Sequence, residues 1–225
     1  MDLKKKLSEC RLYGFTPDKY LNGRNLLEIV EMQLSSGVDI IQLREKKMSD
    51  REKFKLAIEI KKISEKYNKI FIVNDDITIA QLSDADGVHL GQDDIEVKYC
   101  RKILGEKKII GLSTHNENQY SEGQLSCADY TAIGPVFQTF TKDNPAPVVT
   151  LNKLPEILKT KKKFTVAIGG INQGNIDCLS KFSIDCFAVV SDIVCCDDIK
   201  SSVKRLKKII DRIKEKNKSL NIKLR

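Results

Sequence analysis

Eight short β-rich runs recur along this 225-residue chain, with longer stretches of helical periodicity between them. The runs lie at 11–16, 38–44, 69–74, 85–90, 107–113, 128–134, 163–169 and 185–191; helical stretches include 24–36, 50–67 and 152–160. Strands that alternate with helices build right-handed βαβ units and one parallel sheet. Eight such units in about 200–250 residues predict an α/β fold, a (β/α)8 TIM barrel of a single domain. The barrel is expected over residues 1–216, with 217–225 as a basic C-terminal tail and the candidate for disorder. An open doubly wound sheet is the rival, but it would place a glycine-rich phosphate loop after its first strand. The stretch "PDKYLNGRN" follows here and contains no GxGxxG.

Composition excludes several classes. No apolar run reaches the about 18 residues of a membrane span, and the N-terminus "MDLKKKLSECRLYGF" lacks the apolar stretch of a signal peptide. A cytoplasmic location is expected. Seven cysteines form no CxxC pair, so reduced, mostly space-filling thiols are the reading. The net charge of +8 suggests nucleic acid until it is located: residues from Lys200 onward carry +9 and the remainder −1. In that segment Val203, Leu206, Ile209, Ile210 and Ile213 recur at helical spacing, as in a docked helix with a solvated basic face. No aromatics interleave with the basic residues, so nucleic acid is not an expected partner.

A barrel carries its chemistry where strands end and βα loops begin. Strand two ends in "QLREK", where Gln42, Arg44 and Lys46 alternate and share one side of the extended chain. The basic pair needs an anion or open solvent. Strand three ends in "VNDD", and strand four runs into "GVHLGQDD". Neighbouring strands lie about 4.8 Å apart, so Asp75 and an acid beyond strand four can face each other across the rim. Hard oxygen donors there suit Mg²⁺, which takes one or two carboxylates and fills its shell with water and phosphate oxygen. Asp76 fits the cap of the next helix. Strand five ends at Ser113, with His115 beyond it. After strand six, Thr139, Thr141 and Lys142 are donors suited to phosphate oxygens. Gly169-Gly170 after strand seven and Ser191 after strand eight form a second potential phosphate cup. Two anion-binding regions on one mouth fit a diphosphate-bearing group meeting a phosphate-bearing nucleophile.

The ordered set "QLREK", "NDD", "GVHLGQDD", "GLSTH", "ADYTAIGPVFQTFTK", "AIGGI" and "VVS" resembles thiamine phosphate synthases over nearly the whole chain. The resemblance implies a (β/α)8 barrel and Mg²⁺-dependent joining of 4-amino-2-methyl-5-hydroxymethylpyrimidine diphosphate to a thiazole phosphate. It places Gln42, Leu43, Arg44, Glu45, Lys46, Asn74, Ser113 and Lys142 on the pyrimidine diphosphate. It places Asp75 and Asp94 on Mg²⁺, and Thr139, Phe140, Thr141, Gly170, Val190 and Ser191 on the thiazole phosphate. Arg44, Lys46, Ser113 and Lys142 carry the catalytic roles. The implied partners are these two small molecules, and a homo-oligomer is compatible. Two departures stand out: Gln138 occupies a position where the family commonly has Pro, and "DNPAPVVTL" lacks the loop glycine expected after Lys142.

His89, inside a strand, reads as a hydrogen-bonded structural residue. His115 is suited either to touching substrate or to capping the next helix. Two other functions remain. A thiazole tautomerase on the same barrel would use an acid/base pair and would not need the two acids. A non-catalytic sensor of phosphate ligands would bind without releasing diphosphate.

Overall fold

Alternation along each strand decides which way its side chains face. The computed structural model describes residues 2–21, 23–141 and 146–223. Its strands are β1 (Leu12–Phe15), β2 (Ile40–Leu43), β3 (Ile70–Asn74), β4 (Gly87–Leu90), β5 (Ile109–Thr114), β6 (Tyr130–Ile133), β7 (Phe164–Ile168) and β8 (Cys186–Ala188). They pair in parallel, in sequence order, and β8 closes on β1. One side-chain set, including Tyr13, Phe15, Ile40, Ile72, Tyr130, Val166 and Ala188, fills the barrel. The alternate set, including Leu12, Ile41, Leu43, Phe71, Val88 and Phe187, packs outward in the larger sheet-on-helix core. The expected (β/α)8 fold is therefore present.

The helices are α1 (Leu3–Glu9), α2 (Leu26–Ser36), α3 (Asp50–Lys66), α4 (Ile77–Leu82), α5 (Val97–Leu104), α6 (Glu117–Leu125), α7 (Leu154–Ile157), α8 (Ser191–Val194) and α9 (Ile199–Lys223). Local sequence sets several boundaries. Asn25 caps α2, Ser49 and Glu52 form a capping box on α3, and Asp76 caps α4 as expected. Helix α1 precedes the barrel and sends Leu7 and Cys10 into its interior cluster, closing the end away from the βα loops. After β7 only a 3-10 turn, Ile176–Leu179, stands where a helix is usual. The backbone of α9 stays helical to Lys223, through most of the segment read as a tail. No helix among the described residues is long and apolar enough to cross a membrane.

Four aspartates organise the closed end. Asp39, Asp86, Asp129 and Asp185 each stand just before an even-numbered strand. The amide of each donates to the carbonyl of Leu12, Phe71, Ile110 or Thr165 on the preceding strand, at 2.7–3.0 Å. The carboxylate of each accepts the amide of that same residue at 2.8–3.1 Å. Each acid also meets a cation: Lys69 and Lys207 for Asp39, Lys61 for Asp86, Arg101 for Asp129 and Lys161 for Asp185. Burial opposes ionisation of Asp39, but Lys69 and Lys207 outweigh it and hold the carboxyl below its ordinary range. These clamps fix strand order where no chemistry is needed and leave the opposite end to the loops.

Candidate active site

The open end of the barrel is a cleft lined from at least seven strand exits. Thr16 and Asp18 follow β1, Arg44 follows β2, and Asn74 ends β3. Ser113 and His115 come from β5, Thr139 and Thr141 from the loop after β6, Gly170 from β7, and Val190 and Ser191 from β8. Gln42 lies at the base. The structure thus brings together Gln42, Arg44, Asn74, Ser113, Thr139, Thr141, Gly170, Val190 and Ser191.

Leu43, Glu45, Lys46 and Phe140 do not line the cleft itself. Leu43 points outward into the sheet-on-helix core, because strand alternation turns it away from Gln42. Glu45 is buried and accepts the Asp18 amide at 3.0 Å. Burial pushes its carboxyl up, against hydrogen bonds from Thr16 and that amide. Its position is that of a clamp on the β1 loop. Phe140 is 76% exposed on the loop after β6. Lys46 is an exposed rim residue whose charge reaches Asp75. Lys142 lies outside the described residues.

Asp75 and Asp94 do meet. Asp75 has a left-handed backbone, φ +62°, and its amide donates to His89 O at 2.8 Å. This conformation is uncommon for a non-glycine residue, though Asp adopts it more readily than most. It turns the side chain out of the strand onto the rim. Asp94 folds back so that one carboxylate oxygen accepts the Gly91 amide at 2.6 Å, and it also lies in hydrogen-bond reach of Asp75. Asp93 is exposed. Desolvation, the hydrogen bond with Asp94 and that neighbour's charge together push Asp75 up to about 6. The Asp75 side chain meets solvent, so the neighbouring charge carries more weight here than burial. Among the described residues no group of three or more acids, histidines or cysteines is placed to hold a metal ion by itself. A facing pair of carboxylates that resists double ionisation fits a hard divalent ion whose remaining ligands are water and substrate oxygen.

Across the barrel from β3 and β4 lie β7 and β8, where Gly170, Val190 and Ser191 gather. Gly170 has φ +65°, and a Cβ there would sit 2.3 Å from Gln138 O. The close approach that demands glycine is thus to the loop after β6, which runs directly over this exit. Thr139 and Thr141 lie on the same loop, their hydroxyls 3.0 Å apart.

A family model described as thiamine monophosphate synthase matches residues 12–193. A thiamine-phosphate synthase of Caldicellulosiruptor bescii is 42% identical over 206 residues, 92% of this chain and 94% of that protein. One of Persephonella marina is 43% identical over 203 residues, 90% and 97% of the two chains. The solved thiamine phosphate pyrophosphorylase of Pyrococcus furiosus superposes with a TM-score of 0.83 at 32% identity, covering 94% and 98%. The chain belongs to the thiamine monophosphate synthase family. Membership makes it a transferase of thiamine biosynthesis, and neither the tautomerase nor the sensor is favoured.

In this thiamine monophosphate synthase family member, one side of the mouth carries no motif that marks it in the sequence. Thr16, Asp18 and Tyr20 line it from the β1 loop, and Arg44 lies 3.6 Å from the Asp18 carboxylate. Period-two aromatics in "LYGF" were the available signal, since Tyr13 and Phe15 both face inward. His89 is hydrogen-bonded through both ring nitrogens, as its strand position suggested, and it also lines the cleft. His115 lines the cleft too, with Nδ1 held 2.6 Å from Gly134 O. That carbonyl can only accept, so Nδ1 carries the proton. Asn116, not His115, caps α6.

Proposed function

We propose that the protein couples 4-amino-2-methyl-5-hydroxymethylpyrimidine diphosphate to a thiazole phosphate, giving thiamine phosphate and diphosphate. The observation that carries this reading is the facing of Asp75 and Asp94 on one rim, across the barrel from Gly170, Val190 and Ser191. The first region suits a diphosphate with a divalent ion, the second a monophosphate. Asp75 and Asp94 would hold Mg²⁺, which when bound neutralises charge on the departing diphosphate. Arg44 and Lys46 would add cationic charge on that side, and the resemblance assigns Lys142 to the same diphosphate. When the C–O bond breaks, diphosphate leaves with its electron pair. The electron-rich pyrimidine bears the resulting methyl cation until the thiazole nitrogen lone pair forms the new C–N bond. No proton transfer and no covalent enzyme intermediate is required. The chain's work is to bind, orient and neutralise, and orientation alone can lower such a barrier by up to about 7–11 kcal/mol. The seven cysteines are free thiols, which fits a proposed cytoplasmic location.

The test is a coupling assay on the purified protein with both substrates, with Mg²⁺ or with chelator, reading diphosphate and thiamine phosphate. Stoichiometric release of both products, dependent on Mg²⁺, is expected. Asp75→Ala and Asp94→Ala each lower the Mg²⁺-dependent rate by at least about a hundredfold. Thiazole isomerisation without diphosphate release would establish the tautomerase instead, and tight binding without turnover the sensor.

A further inference from the structure

Four hydrogen bonds run without a gap through the barrel interior, from β2 to the end of β5. Gln42 Nε2 donates to Tyr13 Oη at 2.7 Å. Tyr13 Oη lies 3.0 Å from Tyr130 Oη. Tyr130 Oη lies 2.9 Å from His89 Nδ1, and His89 Nε2 lies 2.8 Å from Ser113 Oγ. The rings are held in place. Tyr13 stacks on Phe15 with centroids 5.2 Å apart, and Tyr130 stacks on His89 at 5.5 Å. Gly111, on the inner face of β5, makes room, because a Cβ there would meet the Tyr130 ring at 2.1 Å.

Proton counting gives the chain one direction. The Tyr13 oxygen accepts from the Gln42 amide, so its own O–H donates to Tyr130. The Tyr130 O–H then donates to His89 Nδ1. A neutral imidazole has one proton, and it must sit on Nε2, donating to Ser113. The Ser113 proton is left for a ligand. Burial keeps both phenols protonated, well above the ordinary tyrosine range. At the other end Gln42 has turned its donor inward, and Oε1 is the atom left to meet a ligand. Both end residues line the mouth.

We infer that Tyr13, Tyr130 and His89 are positioning residues that set Gln42 as an acceptor and Ser113 as a donor, the complement of a 4-aminopyrimidine edge. That edge offers an amino N–H beside a ring nitrogen lone pair. As positive charge grows on the pyrimidine methyl carbon, the amino N–H becomes a stronger donor, so a fixed acceptor there also favours the transition state. The identity of the ligand rests on the coupling reaction proposed above; the proton order does not.

Two measurements test it, and neither needs turnover. First, ¹⁵N NMR of histidine-labelled, ligand-free protein is expected to show His89 protonated on Nε2 and bare on Nδ1. The opposite tautomer would overturn the inference even if coupling activity is present. Second, calorimetry with Mg²⁺ compares the aminopyrimidine diphosphate with its 4-oxo analogue, whose edge has reversed polarity. The wild type is expected to prefer the amino compound by at least about a hundredfold. Tyr130→Phe is expected to cut that preference at least about tenfold, chiefly by admitting the oxo compound, and Tyr13→Phe serves as a second interruption should the first fold poorly. Equal weakening of both ligands, with the ratio preserved, would reduce these tyrosines to packing and contradict the inference. Absence of coupling activity together with the expected tautomer and ratio would instead count against the proposed reaction alone.

Discussion

Asp75 carries opposing demands in one side chain. Its carboxyl is pushed up to about 6 from an ordinary 3.8, so the folded chain binds this proton more tightly than the unfolded chain. A raised pKa contributes stability that is complete below about 3.8 and lost as pH rises through about 6. The metal-free protein is therefore expected to lose stability from this pair across that window, the reverse of what Asp39 and its lysines contribute. Asp75→Asn keeps the shape and tolerates the left-handed backbone. Thermal unfolding of wild type minus variant should become less favourable to the wild type as pH rises, and added Mg²⁺ should reverse the difference above about pH 6. A difference independent of pH would show that the two acids do not interact. Asp75 was legible from the sequence because a polar residue directly after an apolar run marks a strand exit. Its backbone conformation and the turn that brings Asp94 back to Gly91 were not, since neither leaves a periodic trace.

Loops and clamps divide the barrel into a working end and a holding end. At the working end the glycines after β7 exist because the β6 loop crosses them. Gly170→Ala places a Cβ against Gln138 O and on a positive φ. It is expected to raise KM for the thiazole phosphate by about tenfold or more while leaving pyrimidine diphosphate affinity within about twofold, as read by steady-state kinetics. At the holding end Asp129 and Arg101 are both about nine-tenths buried. Asp129→Ala leaves Arg101 uncompensated and the Ile110 amide without its acceptor, and should cost about 3–5 kcal/mol in urea unfolding. Glu59→Ala, at an exposed pair with Lys62, should cost less than about 1 kcal/mol. The aspartates before even strands stood in plain view as "VDI", "ADG", "ADY" and "IDC". Their role became visible only once the strand partners were known. Helix α1 escaped because seven residues with two leucines show too little periodicity. The stretch 152–160 is helical but splits into α7 and a 3-10 turn, with Pro155 at its start.

Closure of the sheet is what makes the site composite. It puts β3 and β4 across the mouth from β7 and β8, and joins Tyr13 to Tyr130 over 117 residues of sequence. The alternation of runs was enough to infer the barrel, and through it which exits share a mouth. The inner network was not legible, because no local pattern reports a contact between β1 and β6. Family membership agrees with the barrel and with transferase chemistry. In the proposed reaction Asp75 and Asp94 share one divalent ion with the leaving diphosphate. Crystals grown with Mn²⁺ and diphosphate test it through anomalous scattering. A single peak is expected between the two carboxylates, with diphosphate oxygens completing its shell. A peak held by neither acid, or diphosphate bound elsewhere than beside Arg44, would contradict the account.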